Sequence, residues 1–231
     1  MAYCGKTQRQ LQIRLKTLKR THGVSLNSFP RRFRDQKSAR TRLVGGHKVS
    51  APDNVGNVHD AVSIIPTLSI ADTFVDFGSR IGNVVAQVAL ETCVGRCIGI
   101  EFQDNLANMS KLLIRGARVD FPNLSKVTIH EADLRAMRPA VREDIDGCSV
   151  LFVNNIVFEP TSFAALGDFA SSAAGLVLVV VMATVCGRHR PTCPRNFCSV
   201  WTLRQRIDVQ VSWSSQLHHA YWYTRVVEPY I

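Results

Sequence analysis

The chain has 231 residues, 46% of them hydrophobic, which is enough for one medium-sized domain with a sizeable core plus an extension. The formal charge of +10 is unevenly spread: residues 1–49 carry 13 Lys and Arg against one acid, Asp35, and residues 50–231 carry 15 against 17. The seven cysteines are an odd number with no framework spacing, which excludes a disulfide-stapled secreted module and points to reduced, intracellular thiols.

In chain order, Met1–Gln12 is polar and basic, with no apolar core of a signal peptide. Leu11–Lys19 has apolar residues at 11, 13, 15 and 18, ambiguous between a short helix and a strand. Ser25–Lys48 contains Pro30, a dense arginine run and Gly45–Gly46, which reads as linker or arm. Residues 1–48 are therefore expected to form a basic, partly flexible arm for DNA or another polyanion, and residues 49–231 a catalytic domain.

The domain alternates strand-like and helix-like segments. Strands are expected at Thr73–Phe77, Cys97–Phe102, Val127–His130, Val150–Val153 and Leu176–Val181. Helices are expected at Gly82–Glu91, with Val84, Val85, Val88 and Ala89 on one side, at Asn105–Arg118, with Leu106, Met109, Leu112 and Leu113 together, and near Phe163–Ala170. The apolar run Ala173–Cys186 is too short to span a bilayer and fits a buried strand. Arg206–Val211 and Trp222–Val227 close the chain with hairpin character. This alternation predicts an α/β fold with a mostly parallel sheet covered on both faces and an antiparallel strand at one edge. Cys186, His189, Cys193 and Cys198 follow the pattern C-x2-H-x3-C-x4-C, which fits none of the usual zinc spacings, so four separate side chains and no metal are expected.

Three strand ends carry candidate chemistry. The loop Asp76–Phe77–Gly78–Ser79–Arg80–Ile81–Gly82 links the first strand to its helix, and in an open parallel sheet ligands bind at such carboxyl ends. Glycines let the backbone approach a ligand, and Asp76 supplies a carboxylate. Arg80 stands between the two glycines: a positive φ there would cost roughly 1–2 kcal/mol, and a negative φ nothing. Glu101 ends the second strand, 25 residues on, where an acid can accept hydrogen bonds from both ribose hydroxyls. The loop lacks the G-x-G-x-x-G of dinucleotide sites, and its acid would repel a pyrophosphate but suit a cation. S-adenosylmethionine, with a sulfonium, an ammonium and no phosphate, fits best. Asp133 and Leu134, after the third strand, are placed for the adenine amino group and ring. The fourth strand runs into Asn154 and Asn155, whose amide oxygens can hold an amine N–H without acquiring charge, with Phe158 as a wall. An Asn-capped turn explains that pair equally well.

VDFGSRIGNVVAQVAL, GIEF, EADL, VLFVNNIVF and VSWSSQ resemble, in this order, the catalytic core of the disruptor-of-telomeric-silencing histone methyltransferases. The likeness runs from about Val55 to the C-terminus. It implies a seven-stranded Rossmann-like class I methyltransferase fold and transfer of methyl groups from S-adenosylmethionine to a lysine in the globular core of the H-three histone, in nucleosomes and in the nucleus. It also implies a cofactor site drawn from Val55, Gly56, Asn57, Val58, Phe74, Val75, the 76–82 loop, Asn83, Glu101, Asp133 and Leu134. The lysine channel would come from Asn154, Asn155, Phe158, Trp213 and Tyr221. Asn83 stands where the family has a glutamine, Leu134 replaces a phenylalanine, Arg80 replaces a glycine, and Val55–Val58 is only an outline of the family's upstream Tyr-Gly-Glu loop. A methyltransferase of the same fold acting on RNA or another protein, and a chromatin-binding pseudo-enzyme disabled at Arg80, are the alternative readings.

Overall fold

The computed structural model describes residues 64–190, 192–211 and 214–226. The basic arm, the segment Leu11–Lys19, the 48/49 boundary, Val55–Val58 and Trp213 lie outside the described residues.

One seven-stranded sheet organises the domain, in the order β3-β2-β1-β4-β5-β7-β6. β1 (Thr73–Phe77) leads through α1 (Asn83–Glu91) to β2 (Arg96–Glu101), and α2 (Asp104–Ala117) leads to β3 (Val127–Glu131). The chain then crosses back through α3 (Pro139–Ile145) to β4 (Val150–Val153), and through α4 (Pro160–Ser172) to β5 (Leu178–Val181). α5 (Asn196–Val200) precedes β6 (Trp201–Val211) and β7 (Ser214–Arg225). β1 to β5 pair in parallel, whereas β7 runs antiparallel to both β5 and β6. Strand order reverses at β1, which pairs with β2 on one edge and β4 on the other. A crevice for a ligand opens at the carboxyl ends beside such a reversal.

β4 and β5 are buried at every position, and β1 at every position after Thr73, the pattern of strands covered on both faces. On one face Val75, Phe77, Leu151, Val153 and Val179 pack with Val141, Leu166, Phe169 and Trp201 from the later helices and β6. Phe77 meets Phe169 edge-on at 4.9 Å, and the Trp201 indole N–H donates to the Ala170 carbonyl at 3.3 Å.

The buried side of α2 differs from the expected Leu106, Met109, Leu112 and Leu113. Leu106, Ala107, Ser110 and Ile114 face inward, and Met109 and Leu112 are 39% and 67% exposed. The cause is a close approach: a Cβ on Gly82 would lie 2.5 Å from Ser110 Oγ and 3.1 Å from Ile114 Cδ1. Ser110 fits where Gly82 comes closest, and the inward face passes through Leu106, Ala107, Ser110 and Ile114, which leaves Met109 and Leu112 outside. β6 and β7 begin earlier and run longer than expected, because the first half of β6 is largely exposed and offers no apolar run. α3 and α5 are too short, at 7 and 5 residues, to register as a helical period.

Candidate active site

The loop after β1 folds back over the end of β2, with the Gly78 and Ser79 amides both donating to the Ile100 carbonyl at 2.8 and 3.0 Å. Three alternate positions have positive φ: Gly78 at 77°, Arg80 at 53° and Gly82 at 81°. Arg80 is the only non-glycine of that kind among the described residues. The condition for strain is met, at about 1–2 kcal/mol. Part of what offsets it is visible: the Arg80 amide donates to Glu101 Oε2 at 2.7 Å. Arg80→Gly is therefore expected to raise stability by about 1 kcal/mol, read as a higher Tm, since it relieves the backbone and keeps that amide. An unchanged or lower Tm would mean that the guanidinium contributes more than the strain costs.

Glu101 is buried, and both its oxygens accept backbone N–H groups, from Arg80 and, at 2.9 Å, from Gln103. Burial pushes its carboxyl above the ordinary range, and these N–H groups oppose the rise. The Arg80 guanidinium lines the same cavity, and its charge acts on Glu101. Burial pulls the guanidinium below its usual value.

Ala132 donates to the Glu101 carbonyl at 3.0 Å, which ties the ends of β2 and β3 together. Asp133 then caps the short turn Leu134–Ala136 by accepting from the Arg135 amide at 2.9 Å. The Arg135 guanidinium also grips the Asp133 carboxylate, at 2.7 Å from Nη2, and these bonds hold Asp133 below the usual carboxylate range.

Gly78, Arg80, Glu101, Asp133, Leu134, Asn154 and Phe158 line one cavity at the carboxyl ends of the strands, along with Phe77. Phe158 stands across Gly78, 3.6 Å from where a Cβ would be, so the bare glycine opens the floor between the two halves of the site. At the loop end, Arg80 Nε and Asn83 Nδ2 are buried with no hydrogen-bond partner among the described residues. Of these two residues Arg80 lines the cavity, and an unanswered buried donor there fits a polar ligand reaching that point.

Other expected residues have different jobs. Phe74 and Val75 lie wholly inside β1, and Ile81 is a core residue. Ser79 is buried away from the cavity, with its Oγ near Gly99, where a Cβ would approach it to 2.7 Å. Asp76 is buried beneath the loop and does not line the cavity wall; burial first, and the charge of Glu101 second, push its carboxyl well above the ordinary value.

Asn155 departs furthest from its expected part. It is 0% exposed, and its amide is spent on Ala183: Nδ2 donates to the Ala183 carbonyl and Oδ1 accepts from the Ala183 amide, both at 2.7 Å. It is a clamp between the ends of β4 and β5, leaving Asn154 as the amide that faces the cavity. Tyr221 sits on β7 opposite Val181, packs against the core and lies outside that cavity wall.

Several wall residues were not anticipated, Phe102 and Arg135 among them. Phe102 is 63% exposed beside Glu101, and Arg135 lies over its ring at 5.7 Å and reaches Glu159 at 3.5 Å. An aromatic residue directly after a strand-end acid was a usable signal in GIEF; the reach of Arg135 depends on the turn that Asp133 caps.

Residues 51–225 match the family model described as "Histone methylation protein DOT1". The chain belongs to the DOT1 family. Two DOT1 relatives, from Drosophila melanogaster and Dictyostelium discoideum, bear the name "Histone-lysine N-methyltransferase, H3 lysine-79 specific". Both are 27% identical, over 64% and 52% of this chain, which spans only 8% and 7% of their own lengths. The DOT1 domain also shares its fold with a Streptococcus pneumoniae protein described as a putative tRNA (m1A22) methyltransferase, at a TM-score of 0.52 and 10% identity over 74% of this chain and 70% of that one.

Proposed function

We propose that this domain transfers methyl groups from S-adenosylmethionine to a lysine in the globular core of the H-three histone, in nucleosomes and in the nucleus. The observation that carries the reading is the convergence of Gly78, Glu101, Asp133 and Asn154 from four strand ends on one cavity. Membership of the DOT1 family and the names of the two relatives support the substrate class. The cofactor, when bound, supplies a methyl group on a sulfonium centre.

The chain's own residues would do the rest. Glu101 accepts hydrogen bonds from ribose hydroxyls, with its oxygens already oriented by two amides. Phe102 and Leu134 give the adenine ring apolar surface, and Asp133 offers its amino group an acceptor. Asn154 and Phe158 orient the lysine amine and exclude water from it, and the amide of Asn154 leaves the nitrogen lone pair free to attack. Incubating the protein with labelled cofactor and nucleosomes, free histones or RNA tests the assignment. Label on the H-three histone in nucleosomes is expected; label on RNA or on other proteins alone would replace this substrate, and cofactor binding without transfer to anything would mark a pseudo-enzyme.

Asp76 lies behind the cavity wall, so its charge would act on the cofactor's ammonium without lining the site. Burial raises its pKa, pushing the carboxyl toward the neutral form, and a bound cation would favour the carboxylate, so binding is expected to release whatever proton the free carboxyl holds. Affinity is expected to fall as pH drops through that raised pKa. Calorimetry in buffers of different ionisation enthalpy should detect the released proton in the native protein and not in Asp76→Asn. A pH-independent affinity with no proton release would separate Asp76 from the cofactor.

The basic arm is assigned to nucleosomal DNA. Removing residues 1–48 is expected to weaken nucleosome binding and flatten its salt dependence while leaving cofactor affinity unchanged. The same salt slope in both proteins would show that the arm does not neutralise phosphates.

A further inference from the structure

Between β5 and β6 the chain makes an excursion that the proposed reaction does not use. It begins under the Asn155 clamp at Ala183 and ends at α5, where Phe197 and Trp201 enter the core. Four side chains with metal-binding atoms lie along it. Their sequence spacing gives no warning, yet the fold gathers the three cysteines and sets His189 beside Cys198. The Sγ atoms of Cys186, Cys193 and Cys198 all lie within 4.8 Å of one another. Cys186 Sγ is 3.8 Å from Cys193 Sγ, and His189 Nδ1 is 3.3 Å from Cys198 Sγ.

These separations have a definite chemical meaning. A Zn–S bond of about 2.3 Å puts two sulfurs of a tetrahedral site about 3.8 Å apart, and a sulfur and an imidazole nitrogen about 3.5 Å apart. A disulfide needs its sulfurs about 2.05 Å apart. We propose that Cys186, His189, Cys193 and Cys198 bind one zinc ion as a closed, structural Cys3His site.

The surroundings fit that site. The backbone turns tightly at each ligand: His189 N–H donates to the Cys186 carbonyl at 3.2 Å, Cys193 N–H to the Arg190 carbonyl at 3.0 Å and Cys198 N–H to the Arg195 carbonyl at 2.9 Å. Cys193 sulfur receives a hydrogen bond from the Arg195 backbone, as a metal-bound thiolate requires. The His189 ring interacts with the Trp201 backbone and stands edge-on to Tyr223 at 5.2 Å. A backbone hydrogen bond to the nitrogen that does not ligate would fix the ring and its tautomer. Cys186 and Cys198 are buried and Cys193 is half-buried, so the ion would be shielded but reachable during folding.

Soft thiolates with one imidazole select zinc over magnesium, calcium or manganese. Binding deprotonates three thiols, leaves the histidine neutral and releases three protons to solvent, with no change of oxidation state. Four protein ligands leave no open position for a water, so the ion would fasten chain rather than catalyse. It would join the residues just after β5 to α5 and so hold Ala183 against Asn155. The acceptor wall would then depend on a metal that does not touch the substrate.

The experiment measures metal in the protein purified without chelator. Elemental analysis is expected to find one zinc per chain. Cobalt added to metal-free protein is expected to give the visible and near-ultraviolet absorption of a tetrahedral cobalt–thiolate site. Cys193→Ser and His189→Ala should lower zinc affinity by more than about tenfold, while Cys93→Ser, a cysteine outside the cluster, should retain it. Chelation should lower Tm, and readdition of zinc should restore it. If a variant does not fold, the cobalt spectrum of the native chain decides alone. Zinc-free protein that ignores added zinc and cobalt, or a Cys186–Cys193 disulfide found by mass spectrometry in the purified chain, would overturn the assignment.

Discussion

Glu101→Ala is expected to weaken adenosylmethionine binding by about 3 kcal/mol, on the order of 10²-fold. Two losses combine. The ribose loses a charged acceptor, at roughly 1.5–3 kcal/mol for each hydrogen bond to an ionised group. The site also loses its internal tie, because the Arg80 and Gln103 amides donate to that same carboxylate. Without it, the positive-φ turn at Arg80 keeps its strain and loses the bond that offsets it. Glu101→Gln retains one oxygen of similar shape and is expected to lose only about tenfold. Calorimetric titration gives both affinities, and circular dichroism shows whether the fold persists. Native affinity in Glu101→Ala would remove Glu101 from the site; equal losses in both variants would mean that charge, rather than the tie to Arg80, governs binding.

The second large effect is expected in the rate. Asn154→Ala should slow methyl transfer by about 10²-fold, with cofactor affinity changed by no more than about twofold. The reason is position: Asn154 lines the cavity after β4, beside Phe158, on the side opposite the ribose acid. A group that only aligns the incoming amine acts on the transferring step and leaves binding of the other substrate alone. Asn155→Ala provides the contrast. It removes both hydrogen bonds to Ala183, so it should lower Tm as well as activity. Single-turnover rates at saturating cofactor, set beside melting curves, separate the two residues. Parallel behaviour of the two variants would put Asn154 with Asn155 as a structural amide.

The strand-end residues were legible because a parallel sheet gathers its carboxyl ends at one rim, so each acid or glycine that follows an apolar run is already near the others. That Gly78, Glu101, Asp133 and Asn154 share one cavity needed only the order of segments, whereas Asp76 lies behind its wall. The limits lie where one residue's direction matters. Asn154 and Asn155 look alike as a pair, but successive residues leaving a strand point opposite ways, and only one can face the cavity. On α2 the apolar spacing placed Leu106 correctly but not Met109 and Leu112, because the inward face at Gly82 is set by Ser110 and Ile114. The cysteines after β5 are gathered by a loop closure that no spacing rule anticipates. The edge pair β6 and β7 hid most of its length in polar residues.

The placement of β1 in the sheet bears on how the chain is made. A ribosome releases β1, β2 and β3 first, and these can zip together in order. The other edge of β1 pairs with Val150–Val153, which emerge only after β3 and α3 have been synthesised. Until then a strand buried along nearly its whole length presents an open row of amides and carbonyls, next to a half-built pocket that already holds Gly78, Glu101 and Asp133. Parallel pairings of this kind are slow, and an open edge invites pairing with another chain. The nascent protein therefore passes through a window in which that edge is open to pairing with another chain, and the window closes when β4 slots in beside β1.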